Sequence, residues 1–487
     1  MTQSPKDLTH LLSAEAKSRK NSPLKECFVY FGQPGLTFLG GGLPLADYFP
    51  YNKISAEIPT PGFEGGIGAP ITEANKTEIE VYRLKENNGP NQIELARSLQ
   101  YGYTEGHKEI VDFLKEHTKM IHKPVYDEWD LICTVGNTEA WDSTLRTFTS
   151  RGDTIFVEEY TFSSALETVN ALGVHTFPVP IDEHGLIPEK FATILETWEG
   201  PIPRLLYTIP TGQNPTGSSA SLERRKAIYE LACKYDFLIV EDEPYYFLQM
   251  EKYTTDLEAR KARHVHSHEE FIKALVPSYI SIDAEGRVLR LDSFSKVIAP
   301  GSRFGWIVGQ KKLLERFLRL HEVSIQCPSG FSQSLLNGLL QSWGQTGYLD
   351  WLIGLRAEYT HKRDVAIDSI HKYFPQEVVT YDPPVAGMFF TVSIDTTKHP
   401  KFATDHNSDP AKVEEAIFQQ AIKQGCLMIP GSYFKVTPPP DHKLTVVDAG
   451  SANQIFFRGT YAAVPLDALQ VGLENFGKAL RVEFGLN

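Results

Sequence analysis

Short apolar runs alternate with amphipathic helical segments through the middle of this chain. Residues 205–209 and 237–240 are apolar stretches of strand length, and residues 222–235 between them have the length and spacing of a helix. This alternation is typical of a parallel α/β sheet, because parallel strands need a crossover that is usually a helix. In such sheets ligands bind at the carboxyl ends of the strands. The sequence therefore predicts an α/β fold with a site at that edge.

Four polar residues follow strand candidates at the predicted edge: Asn214, Asp242, Tyr245 and Lys296. The lysine stands in the block Leu-Asp-Ser-Phe-Ser-Lys-Val-Ile-Ala-Pro-Gly-Ser-Arg, residues 291–303. Burial or a neighbouring positive charge turns a lysine into a nucleophile for carbonyl groups, and hydroxyls beside it suit phosphate oxygens. A single Ser-x-Ser-Lys is more often a solvated lysine, so the assignment depends on the other blocks.

Three further blocks accompany the lysine block. They are Tyr-Thr-Ile-Pro-Thr-Gly-Gln-Asn-Pro-Thr-Gly (207–217), Val-Glu-Asp-Glu-Pro-Tyr-Tyr (240–246) and Phe-Phe-Arg-Gly-Thr (456–460). In this order the blocks resemble those of the fold-type I aminotransferases that depend on pyridoxal 5′-phosphate (PLP). With Gly-Gly-Gly-Leu-Pro at 40–44, the chain is most similar to the fungal aromatic amino acid and 2-aminoadipate aminotransferases. The resemblance covers nearly the whole chain.

The resemblance implies the α/β fold of type I PLP-dependent transferases. Its large domain has a mixed, mostly parallel sheet, and a smaller α+β domain follows. We predict an N-terminal arm and small-domain segment over 1–95, the large PLP-binding domain over 96–345 and the C-terminal small domain over 346–487. The implied assembly is a homodimer.

The resemblance also assigns catalytic roles. Lys296 would bind the aldehyde of PLP covalently and then move a proton, and Asp242 would pair with the nitrogen of the pyridine ring. Tyr245 and Asn214 would contact the 3′ oxygen of the cofactor. These four residues are expected to surround one cofactor.

The remaining cofactor contacts implied by the resemblance are to the phosphate and the ring face. They are Asn137, Thr138, Ser293, Ser295 and Arg303 at the phosphate, Phe162 stacked on the ring, and Tyr101 reaching the partner subunit's phosphate. Residues 131–138 run from a buried strand through a glycine turn into a helix, a geometry that offers free backbone N–H groups to a phosphate. Tyr103 is close enough to Tyr101 to leave that choice open.

Substrate contacts are implied for Arg458, Asn214, Gly42 and Lys25. The planar guanidinium of Arg458 suits a carboxylate bidentately. Amino acid and 2-oxo acid would exchange an amino group by a ping-pong mechanism, with aromatic amino acids and 2-aminoadipate as donors and 2-oxoglutarate as acceptor. The resemblance further implies a role in aromatic amino acid metabolism and lysine biosynthesis.

Three alternative functions share some of these sequence features. A PLP-dependent lyase or decarboxylase of the same fold remains open, because fold alone does not set the bond that breaks. A DNA-binding regulator with an aminotransferase-like domain needs a basic domain before residue 40, and the forty mostly polar residues there do not supply one. An acyl-enzyme built on Ser293-x-x-Lys296 needs Ser-Asp-Asn and Lys-Thr-Gly, and neither tripeptide occurs in the sequence.

Charge and composition exclude other classes. The net charge of −13 disfavours nucleic acid as a partner. Five scattered cysteines predict neither a disulfide framework nor a zinc site, and the histidines at 264, 266 and 268 are expected on a solvated loop without metal. No apolar run is long enough to span a membrane, and residues 1–20 carry no secretion signal, so we expect a cytoplasmic protein.

Overall fold

The computed structural model describes residues 4–23, 27–30, 33–37, 39–263, 267–439 and 452–486. The strands in these ranges are β1 Lys53–Pro59, β2 Lys76–Tyr82, β3 Trp129–Thr134, β4 Thr154–Glu158, β5 His175–Val179, β6 Ile181–Asp182, β7 Gly185–Leu186, β8 Leu205–Thr208, β9 Leu238–Asp242, β10 Val288–Ser293, β11 Gly305–Gln310, β12 Val379–Thr380, β13 Phe389–Asp395, β14 Ile429–Pro430 and β15 Gln454–Thr460.

The α-helices of the same ranges are Ala14–Ser18, Leu95–Ser98, Lys108–Ile121, Asn137–Phe148, Ser163–Leu172, Pro188–Glu196, Leu222–Tyr235, Leu257–Lys261, His268–Ala274, Lys311–His321, Gly330–Tyr373, Pro410–Lys423 and Leu466–Phe484.

A seven-stranded sheet in the order β3-β11-β10-β9-β8-β4-β5 forms the centre of the larger unit. Strand β11 runs antiparallel to both of its neighbours, and the other pairs are parallel. Every residue of β8, β9 and β10 is buried, and each of these strands begins with apolar residues, as parallel strands covered on both faces do. The predicted mixed, mostly parallel sheet is confirmed.

A second, smaller sheet has the order β12-β13-β15-β14, with every pair antiparallel. Helices Pro410–Lys423 and Leu466–Phe484 cover it, and Val392, Phe457 and Phe476 lie in the apolar core between sheet and helices. An antiparallel sheet with helices packed against it is the smaller α+β unit expected from the sequence.

The helical stretch Gly330–Tyr373 connects the two cores. It bends at Gly344, whose φ of +62° is a conformation that favours glycine. Leu352 packs in the core of the large sheet, whereas Ile367, four turns further on, packs in the core of the small one. The domain boundaries at 95 and 345 stay a prediction.

The N-terminal segment forms a 3-10 turn, Thr9–Leu11, and then the helix Ala14–Ser18, which begins where the Ser13 side chain accepts a hydrogen bond from the Ala16 N–H. The antiparallel pair β1–β2 was not predicted. Its outer positions are polar and exposed, so its sequence lacks a long apolar run.

The charged segment around residues 252–277 forms two short helices, Leu257–Lys261 and His268–Ala274, and most of its described residues are exposed or partly exposed. Its arginines pair with carboxylates on the long helix: Arg260 donates to both oxygens of Asp368 (2.6 and 2.8 Å), and Arg263 donates to Asp364. Phe271 is buried in the main core. The opposite charges lie on a helix a hundred residues away, so local sequence could not reveal the pairing. Residues 264–266 lie outside the described ranges.

Asp364→Ala is expected to destabilise the fold by about 3 kcal/mol, because it leaves the buried guanidinium of Arg363 and the partly exposed one of Arg263 without this anion. The Asp364 side chain is 5% exposed and contacts Arg363 (2.8 Å) as well as Arg263. The measurement is the Tm of each variant. Glu358→Ala, on the same helix and without an ion pair in the described ranges, is the control, and equal Tm values for both variants would contradict the prediction.

Candidate active site

Asp242 is the last residue of β9 and is buried at the carboxyl edge of the large sheet. Its Oδ2 accepts a hydrogen bond from the Tyr207 hydroxyl and its Oδ1 accepts one from Asn137 Nδ2, both at 2.6 Å. Burial raises the pKa of Asp242, and the two hydrogen bonds oppose that rise. The site thus contains a buried carboxylate bonded by two neutral donors.

The helix Asn137–Phe148 begins beside this carboxylate. Its N-cap, Gly136, has φ +100°, and a Cβ there would lie 2.7 Å from Arg303 Nη2. Only glycine therefore allows the arginine to approach the start of the helix. Free N–H groups, the positive end of the helix dipole and a guanidinium together form a site that favours an anion.

The hydroxyls of the lysine block lie next to that helix. Ser293 is the last residue of β10, and its Oγ donates to Ser295 Oγ at 2.7 Å. Arg303 has φ +46° and donates to the carbonyl of Val135 at 2.9 Å, which brings its guanidinium to the glycine turn. The two serines and Arg303 thus lie on the turns at one end of the sheet.

Lys296 is half-buried in the turn after β10. Burial and the positive charge of Arg303 lower its pKa. Among the described residues its amine has neither an ion pair nor a hydrogen bond, so the nitrogen is not committed to a structural contact. A lysine with a lowered pKa and no partner is suited to nucleophilic or base chemistry.

Arg458, on β15 of the small sheet, reaches the same region. Its Nη1 donates to Asn214 Oδ1 at 2.7 Å. The guanidinium carbon lies 4.4 Å from the ring centre of Phe389 and 4.6 Å from that of Phe434. Tyr245 packs against Phe389 with ring centres 5.9 Å apart. The two rings lie close enough for cation–π contacts with the guanidinium, which has further N–H groups that could bind a planar anion.

The other predicted site residues make no contact with Asp242, Lys296 or Arg458 that the structure shows within its described ranges. Phe162 is half-buried at the N-cap of helix Ser163–Leu172, and Thr138 is exposed in the first turn of its helix. Gly42 is exposed, and no atom lies within 4 Å of a Cβ built there. Tyr101 and Tyr103 are both exposed, so the choice between them stays open. Lys25 lies outside the described residues.

Three site residues were missed by sequence analysis. Tyr207 bonds Asp242, and Phe389 and Phe434 sandwich Arg458. Tyr207 stands in a quoted block, at a buried strand position, where a hydroxyl needs a partner; that requirement was the available signal. The two phenylalanines have no local signal, because their contact is with a strand that follows them at a distance in the chain.

Residues 66–456 match the family model for aminotransferases of class I and II. The chain belongs to this family. An aromatic amino acid aminotransferase of Schizosaccharomyces pombe is 40% identical, with 99% of this chain and 100% of the relative covered. The crystal structure of aminotransferase Aro8 from Candida albicans is 65% identical, covers 99% of this chain and 100% of its own, and has a TM-score of 0.96. The mitochondrial kynurenine/alpha-aminoadipate aminotransferase of Bos taurus is 34% identical over 78% of this chain and 86% of its own.

Aminotransferases of this family depend on PLP. The donor set of the site fits that group: a lysine with a lowered pKa and no partner among the described residues suits its aldehyde, a buried carboxylate its ring nitrogen, and a helix start with Arg303 and hydroxyls its phosphate. Within the described ranges no cluster of side chains could hold a metal ion. No helix there is long and apolar enough to cross a membrane.

Proposed function

We propose that this aminotransferase moves the amino group of aromatic amino acids, and of 2-aminoadipate, to 2-oxoglutarate by a ping-pong mechanism. The observation that carries the proposal is Arg458, fixed between two phenylalanine rings beside Asn214. The guanidinium of Arg458, packed against these rings, can bind the α-carboxylate, a group that every amino acid and 2-oxo acid substrate carries. The names of the relatives from S. pombe and B. taurus support the two donor classes.

When bound, PLP supplies an electron sink for the negative charge that develops at the substrate Cα. We assign Lys296 as the residue that holds the aldehyde carbon and, once released, takes the proton from Cα and delivers it to the cofactor carbon. Asp242 keeps the ring nitrogen protonated by opposing its positive charge. Tyr245 and Asn214 contact the 3′ oxygen in this proposal.

Arg458 orients the substrate carboxylate through a bidentate contact, and Phe389 and Phe434 keep water from its faces. For the phosphate we propose the backbone N–H groups at Asn137 and Thr138, with Ser293, Ser295 and Arg303. Phe162 is the proposed stacking partner of the ring. Gly42 and Lys25 remain the proposed contacts of the N-terminal arm with substrate.

A homodimer is the proposed assembly. In the single chain the side chains of Tyr101, Tyr48 and Leu39 are 60%, 80% and 89% exposed. Gln100 Nε2 donates to the carbonyl of Pro44 at 2.7 Å, which ties the exposed arm to the turn with the tyrosines. Exposed large apolar residues on this arm and turn favour contact with another subunit, and Tyr101 or Tyr103 would then reach the partner's cofactor. We further propose a cytoplasmic location and a role in lysine biosynthesis.

The test of the proposed function is the absorbance of the purified enzyme through the two half-reactions. Phenylalanine alone should bleach the yellow cofactor band, because the first half-reaction leaves the amino group on the enzyme. Addition of 2-oxoglutarate should then restore the band, because the second half-reaction removes that amino group. We expect kcat/KM for phenylalanine, tyrosine or tryptophan to be at least equal to that for 2-aminoadipate. Release of carbon dioxide, or of ammonia and an oxo acid without an acceptor, would instead show a decarboxylase or a lyase. Lack of activity with every aromatic donor would overturn the substrate assignment.

A further inference from the structure

Asp242 has no cationic partner in the part of the chain that the structure describes. Within the described ranges no lysine, arginine or histidine forms an ion pair with it, and its two oxygens accept from Tyr207 and Asn137. The buried Arg290 on the neighbouring strand is engaged elsewhere: it donates to both oxygens of Asp292, at 2.7 and 2.8 Å, and lies 3.5 Å from Glu241. The fold thus keeps the buried positive charge in ion pairs with other carboxylates.

Neutral donors and an ion pair act differently on a carboxylate. Hydrogen bonds from neutral groups favour the ionised form and leave its net charge in place, whereas a bound cation cancels that charge. A carboxylate that must stabilise a protonated pyridine needs both ionisation and an uncancelled charge. Tyr207 and Asn137 favour the ionised form of Asp242 and leave its negative charge uncancelled.

Tyr207 has a fixed position. It lies opposite Val240 in the β8–β9 register, and Asp242 follows Val240 by two residues, so the tyrosine and the aspartate are on the same face of the sheet. The ring of Tyr207 packs 4.4 Å from that of Trp141, whose indole N–H donates to the carbonyl of Ala165. Burial and the charge of Asp242 raise the pKa of Tyr207, so the hydroxyl stays protonated and remains a donor.

Asn137 is fixed as firmly. Its Nδ2 donates to Asp242 Oδ1 and also to the carbonyl of Leu291 at 3.0 Å. Both partners are acceptors, so only the NH₂ end of the amide fits there. The side chain that was expected at the phosphate is turned toward the carboxylate, while the backbone N–H of Asn137 stays at the start of its helix.

We propose that Tyr207, together with Asn137, is a positioning residue that keeps Asp242 ionised and oriented toward the ring nitrogen of PLP. The inference rests on the role proposed above for Asp242. It adds to that role a residue that would touch neither substrate nor cofactor.

The experiment compares two cofactors, PLP and its analogue with carbon in place of the ring nitrogen, by their Kd for the apoenzyme. Tyr207→Phe should weaken PLP binding about tenfold, the scale of one hydrogen bond to a charged group. The analogue has no ring proton for Asp242 to attract, so the same variant should leave its Kd nearly unchanged. Asn137→Ala should show the same pattern, which keeps the test available if one variant does not fold.

Tyr229→Phe is the matched control. Tyr229 is also buried in the large unit and donates to a buried carboxylate, Asp283, at 2.9 Å. Its loss should change the Kd of both cofactors by the same small factor. If Tyr207→Phe weakens both cofactors equally, its role is structural and the inference is overturned.

A further variant separates this inference from the role of Asp242 itself. Asp242→Asn should remove most of the preference for PLP over the carbon analogue. If it leaves that preference intact, the proposed role of Asp242 fails. If it removes the preference while Tyr207→Phe and Asn137→Ala keep it, only the positioning role fails.

Discussion

Replacing Lys296 by alanine is expected to lower kcat by about four orders of magnitude or more, with the fold intact. The substitution removes the amine that holds the cofactor aldehyde and the base that moves the proton, and each function alone accounts for a factor of 10² to 10⁴ or so. The amine is half-buried, has a lowered pKa and makes no structural contact in the described ranges, so its loss should cost little stability.

The measurement is single-turnover kinetics with phenylalanine, alongside Tm. Lys311→Ala is the control, because Lys311 is exposed on the following helix and should be dispensable. A small primary amine added to the Lys296→Ala enzyme should restore part of the proton transfer, which a merely misfolded variant would not allow. Retention of more than about a tenth of the wild-type rate would reject Lys296 as the base, since general bases contribute at least 10²-fold.

The centre of the fold was predictable because it is built from signals that are local in sequence. Strands β8 and β9 are buried on both faces, so their apolar runs were visible, and the helix Leu222–Tyr235 between them was predicted with both ends correct. The sheet rule then placed Asp242 and Lys296 at one edge. The family resemblance supplied their roles, which the sheet rule could not.

The features that were not predicted depend on contacts between residues that are far apart in the sequence. The carboxylates that pair with Arg260 and Arg263 lie on a helix about a hundred residues further on, so the local sequence gave no sign of these ion pairs. The family resemblance assigned Asn137 to the phosphate, and its position at a helix start agreed with that assignment. Its side chain instead meets Asp242, more than a hundred residues away. Helix-cap patterns locate a backbone, but they do not fix the direction of a side chain.

Asp242→Ala should slow proton transfer by about 10³-fold while the apoenzyme still binds cofactor, whereas Tyr245→Phe should slow it only about tenfold. The difference follows from charge. Asp242 is a buried anion without a cation partner in the described ranges, so its full charge acts on the ring nitrogen. Tyr245 is neutral, and burial and the charge of Asp242 raise the pKa of its phenol, so it acts as a hydrogen-bond donor alone.

Asp242→Asn separates the charge of Asp242 from its shape. The amide fills the same space but has one oxygen where the carboxylate has two. That oxygen accepts a hydrogen bond from one of the two donors, Tyr207 or Asn137, and the amide NH₂ then faces the other. We therefore expect Asp242→Asn to lie close to Asp242→Ala in rate rather than midway to wild type, because both lack the anion that opposes the pyridinium. Rates of Cα proton transfer, followed in single turnover with deuterated phenylalanine, measure this step directly. If Tyr245→Phe proves slower than both aspartate variants, the electrostatic role belongs to the phenol, and the neutral hydrogen bonds around Asp242 serve only to stabilise a buried carboxylate.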